Sequence, residues 1–214
     1  MVAVKRTEGV RVRRTKAEAR AEIVSAARDV LASEGPAGLS VAAIMARTGM
    51  TRKAFYVHFT DRTDLIRSLV RPLRAELDDA MLRWREHDDP SVAGFAALDQ
   101  AVQTYVTHNA ILRALWWTSV DDPEIDAIRT ELGAPLIETA SAILARDRGF
   151  DAPSARAVAT ALATMNVHSL LALGSTPPPQ QVADTVGALR TVWLAVAGPR
   201  RDQGPTPPMG SGKS

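Results

Sequence analysis

Arg52 and Lys53 precede three aromatics, Phe55, Tyr56 and Phe59, that fall within five residues of a chain only 5% aromatic. The chemistry open to this run is the gripping of a polyanion. Two cations can donate to phosphate oxygens or to guanine O6 and N7, and a phenolic hydroxyl can donate to a phosphate. The same residues could also form a small core element carrying solvated charge. Other chemistry finds less support. There is no cysteine, which excludes disulfides and thiolate metal sites. The four histidines, His58, His87, His108 and His168, stand far apart and have no metal-ligand spacing. No paired nucleophile and base and no phosphate-cradling loop is found, so no catalytic residue is assigned, no cofactor is expected and the chain is not read as an enzyme.

The charge distribution points the same way as the aromatic run. Residues 1–67 hold 13 Lys/Arg against 7 Asp/Glu, whereas residues 68–199 hold 10 against 16. A basic first third on an acidic remainder suits a protein whose first third meets a polyanion. The 214 residues are 46% hydrophobic, enough for a sizeable core. No apolar run approaches the ~18 residues of a membrane span. The opening residues carry cations but no apolar h-region, so a cytoplasmic protein without membrane contact is expected.

The elements that must position the aromatic run are all helical. Thr15-Lys-Ala-Glu18 is a capping box and opens a first helix, which Gly35-Pro36 stops. Ser40 can cap a short second helix and Gly49 can end it. Thr51 can cap a third running to about His58, and Asp61-Arg-Thr-Asp64 opens a fourth, with Pro72 inside it as a kink and candidate hinge. Ser91 is read as the cap of a fifth helix. Ile111 to Trp117, the Asp122-Pro123 start, the Asp151-Ala-Pro153 start and a segment after the GSTPPP loop supply the rest. Without strand alternation anywhere, the expectation is an all-α chain of nine helices. The expected division is a disordered basic arm at 1–14, a DNA-binding head at 15–62, a ligand-binding and dimerisation body at 63–198, and a disordered tail at 199–214.

Thr48-Gly-Met50 between two short helices fits a helix-turn-helix, whose second helix enters the DNA major groove with its N-terminal residues foremost. The run from Leu39 to Leu65 resembles the DNA-binding domain of the tetracycline-repressor (TetR) family. The Phe-Tyr-x-His-Phe core and the Asp-Arg-x-Asp-Leu start of the fourth helix match in order and spacing. The resemblance implies a nine- or ten-helix homodimer with a three-helix head and a variable ligand-binding body. It assigns phosphate contacts to Ser40, Thr51 and Tyr56, base-reading positions to Arg52 and Lys53, a phosphate or base-edge contact to His58, and a phosphate contact to Arg62. Ala54 departs from the commoner Thr or Ser. The arm residues Lys5, Arg6, Arg11, Arg13 and Arg14 could reach the minor groove or phosphates.

The body resembles the branch of that family that includes the ethionamide-resistance repressor, on Ile111–Trp117, Ala145–Gly149 and Ala159–Leu170. That resemblance implies an elongated apolar pocket. Tyr105, Trp116, Trp117, Asn166 and Leu170 are the candidate ligand-binding residues. Val182, Val186, Leu189, Trp193 and Val196 recur in steps of four and three, which suits a dimer seam within an intersubunit four-helix bundle. Together these readings point to a transcriptional regulator, a repressor released from a palindromic double-stranded operator when a small apolar effector binds. The alternative is a constitutive DNA-binding protein without an effector.

Overall fold

The structure, a computed structural model, describes residues 14–117 and 123–198. Those residues form nine α-helices and one 310 turn (Pro36–Gly38), with no strand among them. The helices are α1 (Lys16–Glu34), α2 (Val41–Thr48), α3 (Arg52–His58), α4 (Arg62–Glu86), α5 (Pro90–Thr107), α6 (Asn109–Trp117), α7 (Pro123–Arg148), α8 (Ala152–Ala172) and α9 (Pro179–Ala197). The basic arm, apart from Arg14, and the tail from residue 199 lie outside the described residues.

Local chemistry starts and stops most of these helices. Thr15 Oγ1 accepts from Glu18 N while a Glu18 carboxylate oxygen accepts from Thr15 N at 2.7 Å, so the capping box is complete. Ser40, Asp61 and Asp151 each cap their helix by accepting from the backbone three residues on. The fifth helix starts slightly earlier than expected. Its cap is Asp89, whose carboxylate accepts from Ser91 N and Val92 N, and Pro90 takes the first helical position where its missing N–H costs nothing. Gly49 ends α2 at φ 64°, in the left-handed region. Nothing lies within 4 Å of where a Cβ would sit, so Gly49→Ala is opposed by backbone conformation alone. The expected cost is about 1–2 kcal/mol, checked by urea denaturation.

One apolar cluster runs from the head into the body. Ile23, Val30, Ile44, Phe55 and Phe59 join Leu65, Leu69 and Leu73 of α4, then Leu112 of α6 and Ile125 of α7. A second cluster holds Met81, Trp84, Ile143, Leu144, Leu162 and Trp193. α4 belongs to both, and it continues through Pro72 as one helix from Arg62 to Glu86. Polar ties hold α4 on both sides. Arg67 pairs with Glu131 of α7 at 3.1 Å, and Thr104 of α5 donates to Glu76 at 2.7 Å.

The seam read on the last helix turns inward. Leu189 and Trp193 are buried within their own protomer, and Val182, Val186 and Val196 are half-buried against the same clusters. Leu189 and Trp193 are thus covered within the protomer, while Val182, Val186 and Val196 keep part of their surface open. A three–four apolar spacing marks one buried stripe, and here the protomer's own α5, α7 and α8 cover it. The exposed side of α9 carries Gly187, Ala188, Thr191 and Ala195 instead. On α8 the alanines divide likewise: Ala155, Ala159 and Ala163 are buried, and Ala157 and Ala161 are exposed.

Candidate nucleic-acid interface and ligand cavity

The head presents α3 with its two faces sharply divided. Phe55 and Phe59 are fully buried, with ring centroids 5.4 Å apart, and Arg20 lies 4.6 Å over the Phe59 ring. Arg52, Lys53, Tyr56 and Val57 are exposed. Tyr56 packs edge-on against Phe55 at 5.3 Å and remains 52% exposed. Three other cations of the head are engaged: Arg14 pairs with Glu22, Arg47 with Glu34, and Arg20 donates to Ser68. Arg52, Lys53 and Arg62 have no acidic partner among the described residues, so their charge is available to an incoming anion.

The hydroxyls differ in how free they are. Thr51 stands at the N-cap of α3 without making a side-chain cap bond, which leaves its hydroxyl uncommitted. Ser40 Oγ accepts from Ala43 N at 3.2 Å and keeps its proton to donate. His58 is half-buried, and its Nδ1 is shut away without a partner among the described residues, so only Nε2 can face outward. At α4 the backbone donors expected for a phosphate are partly taken. Asp61 Oδ1 accepts from Asp64 N at 2.8 Å, and Asp64 accepts from Thr60 N. Any anion there meets the Arg62 guanidinium beside a carboxylate rather than a bare helix end.

The body contains an apolar cavity that is partly open to solvent. It runs along the junction of the two apolar clusters. Tyr105, Trp116, Asn166 and Leu170 line it, as the sequence suggested. Trp117 does not. It is 45% exposed and stacked under the Arg113 guanidinium at 4.3 Å. Successive residues on a helix point about 100° apart, and here that step carries Trp117 away from the cavity that Trp116 lines. Sequence reasoning missed Leu77, Met81 and Trp84 of α4 as wall residues, although their shared helix face was legible. It also missed the α9 side of the mouth, formed by Leu194 and Ala197.

The cavity's polar content is small and specific. No charged side chain lines it among the described residues. Burial pushes the Tyr105 hydroxyl far above its ordinary value, so it stays a neutral phenol at any physiological pH. Asn166 Oδ1 accepts from Trp193 Nε1 at 3.1 Å, and Trp193 packs edge-on against Trp84 with centroids 5.7 Å apart. Trp84 Nε1 in turn donates to the Pro90 carbonyl at 2.8 Å. This chain of contacts ties α8, α9, α4 and α5 together around the cavity. It leaves the Asn166 N–H2 donors, and one lone pair of Oδ1, for an occupant. Among the described residues there is no group of three His, Asp or Glu that could hold a metal ion, and no helix is long and apolar enough to cross a membrane.

Two family descriptions match successive parts of the chain. "Bacterial regulatory proteins, tetR family" matches residues 23–69, and "Transcriptional regulator EthR, C-terminal domain" matches residues 95–197. Among curated proteins, the HTH-type transcriptional repressor BepR of Brucella suis is 35% identical over 83 residues, which is 37% of this chain and 40% of that protein. The HTH-type transcriptional regulator TtgR of Pseudomonas putida is 38% identical over 81 residues, 36% of this chain and 38% of its own length. The matched stretch thus spans about two-fifths of these relatives. Among solved structures, a transcriptional regulator from Rhodococcus sp. Rha1 aligns with a TM-score of 0.67 at 22% identity, over 85% of this chain and 99% of that one. NalD of Pseudomonas aeruginosa, the secondary repressor of the MexAB-OprM multidrug efflux pump, aligns with a TM-score of 0.67 at 21% identity, over 88% and 100%. At these identities the likeness is one of fold.

Proposed function

We propose, from the premise that the chain belongs to the TetR family of bacterial transcriptional regulators, that it is a repressor whose grip on a palindromic operator is released by a small, uncharged apolar effector. The observation that carries this reading is α4. One helix begins at Arg62 beside the recognition helix and ends with Leu77, Met81 and Trp84 in the cavity wall. An occupant that moves those three side chains moves the support of α3. Ser40, Thr51, Arg52, Lys53, Tyr56, His58 and Arg62 are the proposed DNA contacts.

The dimer is proposed to form through the exposed faces of α8 and α9, where Ala157, Ala161, Gly187 and Ala188 allow close helix approach. It would set two copies of α3 about one helical turn, ~34–36 Å, apart on DNA. An effector that favours another body arrangement changes that spacing and shifts the population away from the DNA-bound form. The constitutive alternative calls for a solidly packed body, and the cavity weighs against it.

The occupant's chemistry follows from the wall. It is elongated, uncharged and mostly apolar, with one acceptor such as a carbonyl or ether oxygen facing the Asn166 amide. A panel of such compounds is tested by thermal shift and by displacement of operator DNA. At a concentration 100 times its Kd, a true ligand stabilises the folded protein by about 2.7 kcal/mol. A compound that stabilises the protein without weakening operator binding counts against effector control.

A further inference from the structure

We propose that Val57, with Ala54 one turn before it, is a specificity determinant that reads a thymine 5-methyl group at the centre of the outward face of α3. The inference rests on the reading of α3 as the helix that enters the major groove. A helix advances about 100° per residue. Phe55 and Phe59 are the residues of this segment turned fully into the head core. The direction opposite their mean falls on Val57. Lys53 and Ala54 lie within about 60° of it, on either side, Tyr56 and His58 stand about 100° away on the flanks, and Arg52 is about 140° away at the first position of the helix. Val57 is thus the residue that points most directly out of the head.

Exposure agrees with the angles. Val57 is 59% exposed and Tyr56 52%, and these two are the large apolar side chains left exposed in the described head. An isolated exposed valine needs no explanation. This one occupies the middle of a face that it shares with Lys53 and that Tyr56 flanks. It can offer neither a hydrogen bond nor charge. In the major groove, only thymine presents a methyl group for such a side chain to meet. Ala54, one turn before Val57, is half-buried against the head core and brings no hydroxyl to that side of the helix. The face then divides by chemistry. Lys53 suits acceptor-rich guanine edges, and Val57 suits the neighbouring thymine methyl.

The test starts by selecting bound sequences from random duplex DNA with the full-length protein. Each thymine of the selected half-site is then replaced by deoxyuridine, which removes only the methyl group, and affinity is read by fluorescence anisotropy at fixed salt. At one thymine position, the wild type is expected to lose about 3- to 5-fold per half-site on loss of a buried methyl. Val57→Ala should bind the thymine and deoxyuridine duplexes equally, with an unchanged thermal midpoint, and Val57→Ile should retain the discrimination. Arg52→Ala should weaken both duplexes and keep their ratio. A wild type indifferent to every thymine methyl, or a Val57→Ala variant that still discriminates, overturns the inference while leaving DNA recognition by α3 intact. A selection that returns no preferred sequence overturns the reading of α3, and this proposal with it.

Discussion

Phe55→Ala is expected to cost about 3–5 kcal/mol of stability and to abolish sequence-specific DNA binding at ordinary temperatures. Phe55 is fully buried and touches rings on both sides, Tyr56 edge-on and Phe59 at 5.4 Å. Truncation leaves a ring-sized void between α3 and the two helices beneath it, and close-packed interiors relax only partly around such voids. The cluster containing Phe55 continues through Leu69 and Leu73 to Leu112 and Ile125. Loss of the head anchor is therefore expected to lower a single cooperative transition rather than split off an early one. Guanidinium denaturation followed by far-ultraviolet circular dichroism reads both features. A destabilisation under about 1 kcal/mol would show that the site collapses to fill the void, against the close packing described.

The second large effect is functional. Arg52→Ala and Lys53→Ala are each expected to weaken operator binding by about 1–3 kcal/mol, roughly 5- to 150-fold, without measurable change in stability. Both side chains are exposed and neither has an acidic partner among the described residues, so nothing in the fold depends on them. The two possible roles separate by salt dependence. If the side chain neutralises a phosphate, its removal lowers the slope of log affinity against log salt by about one and weakens all sequences alike. If it reads a base, its removal relaxes preference at one position. Unchanged affinity for both variants in titrations at fixed salt would remove α3 from the interface.

The head was almost wholly legible from its residue order. Each of its signals is local: a capping box spanning four residues, a left-handed glycine between two short helices, and aromatics placed to fall on one side of a turn. The outward position of Val57 was equally legible, since it follows from burying Phe55 and Phe59 on a helix of known pitch. A valine by itself signals no chemistry, and its place at the centre of the face gives it one. The cavity was legible in part. Tyr105, Trp116, Asn166 and Leu170 stood out as large or polar groups on apolar faces, whereas Met81 and Trp84 read as ordinary core.

What the residue order determined about this protein is helix identity, the helix-turn-helix and the placement of free cations at the start of α3. These depend on interactions within about one or two helical turns. Tertiary structure alone decided which partner covers each apolar stripe. The seam Val182, Val186, Leu189, Trp193 and Val196 fits a second copy or the protomer's own body equally well by spacing. The packing of α5, α7 and α8 covers Leu189 and Trp193 within the protomer and leaves Val182, Val186 and Val196 half-exposed. The same holds for Trp117, displaced from the cavity by the facing of its neighbour, and for Asn166, whose oxygen is claimed by a tryptophan 27 residues away. Periodicity says that a face must be buried, and only contacts between distant segments say against what.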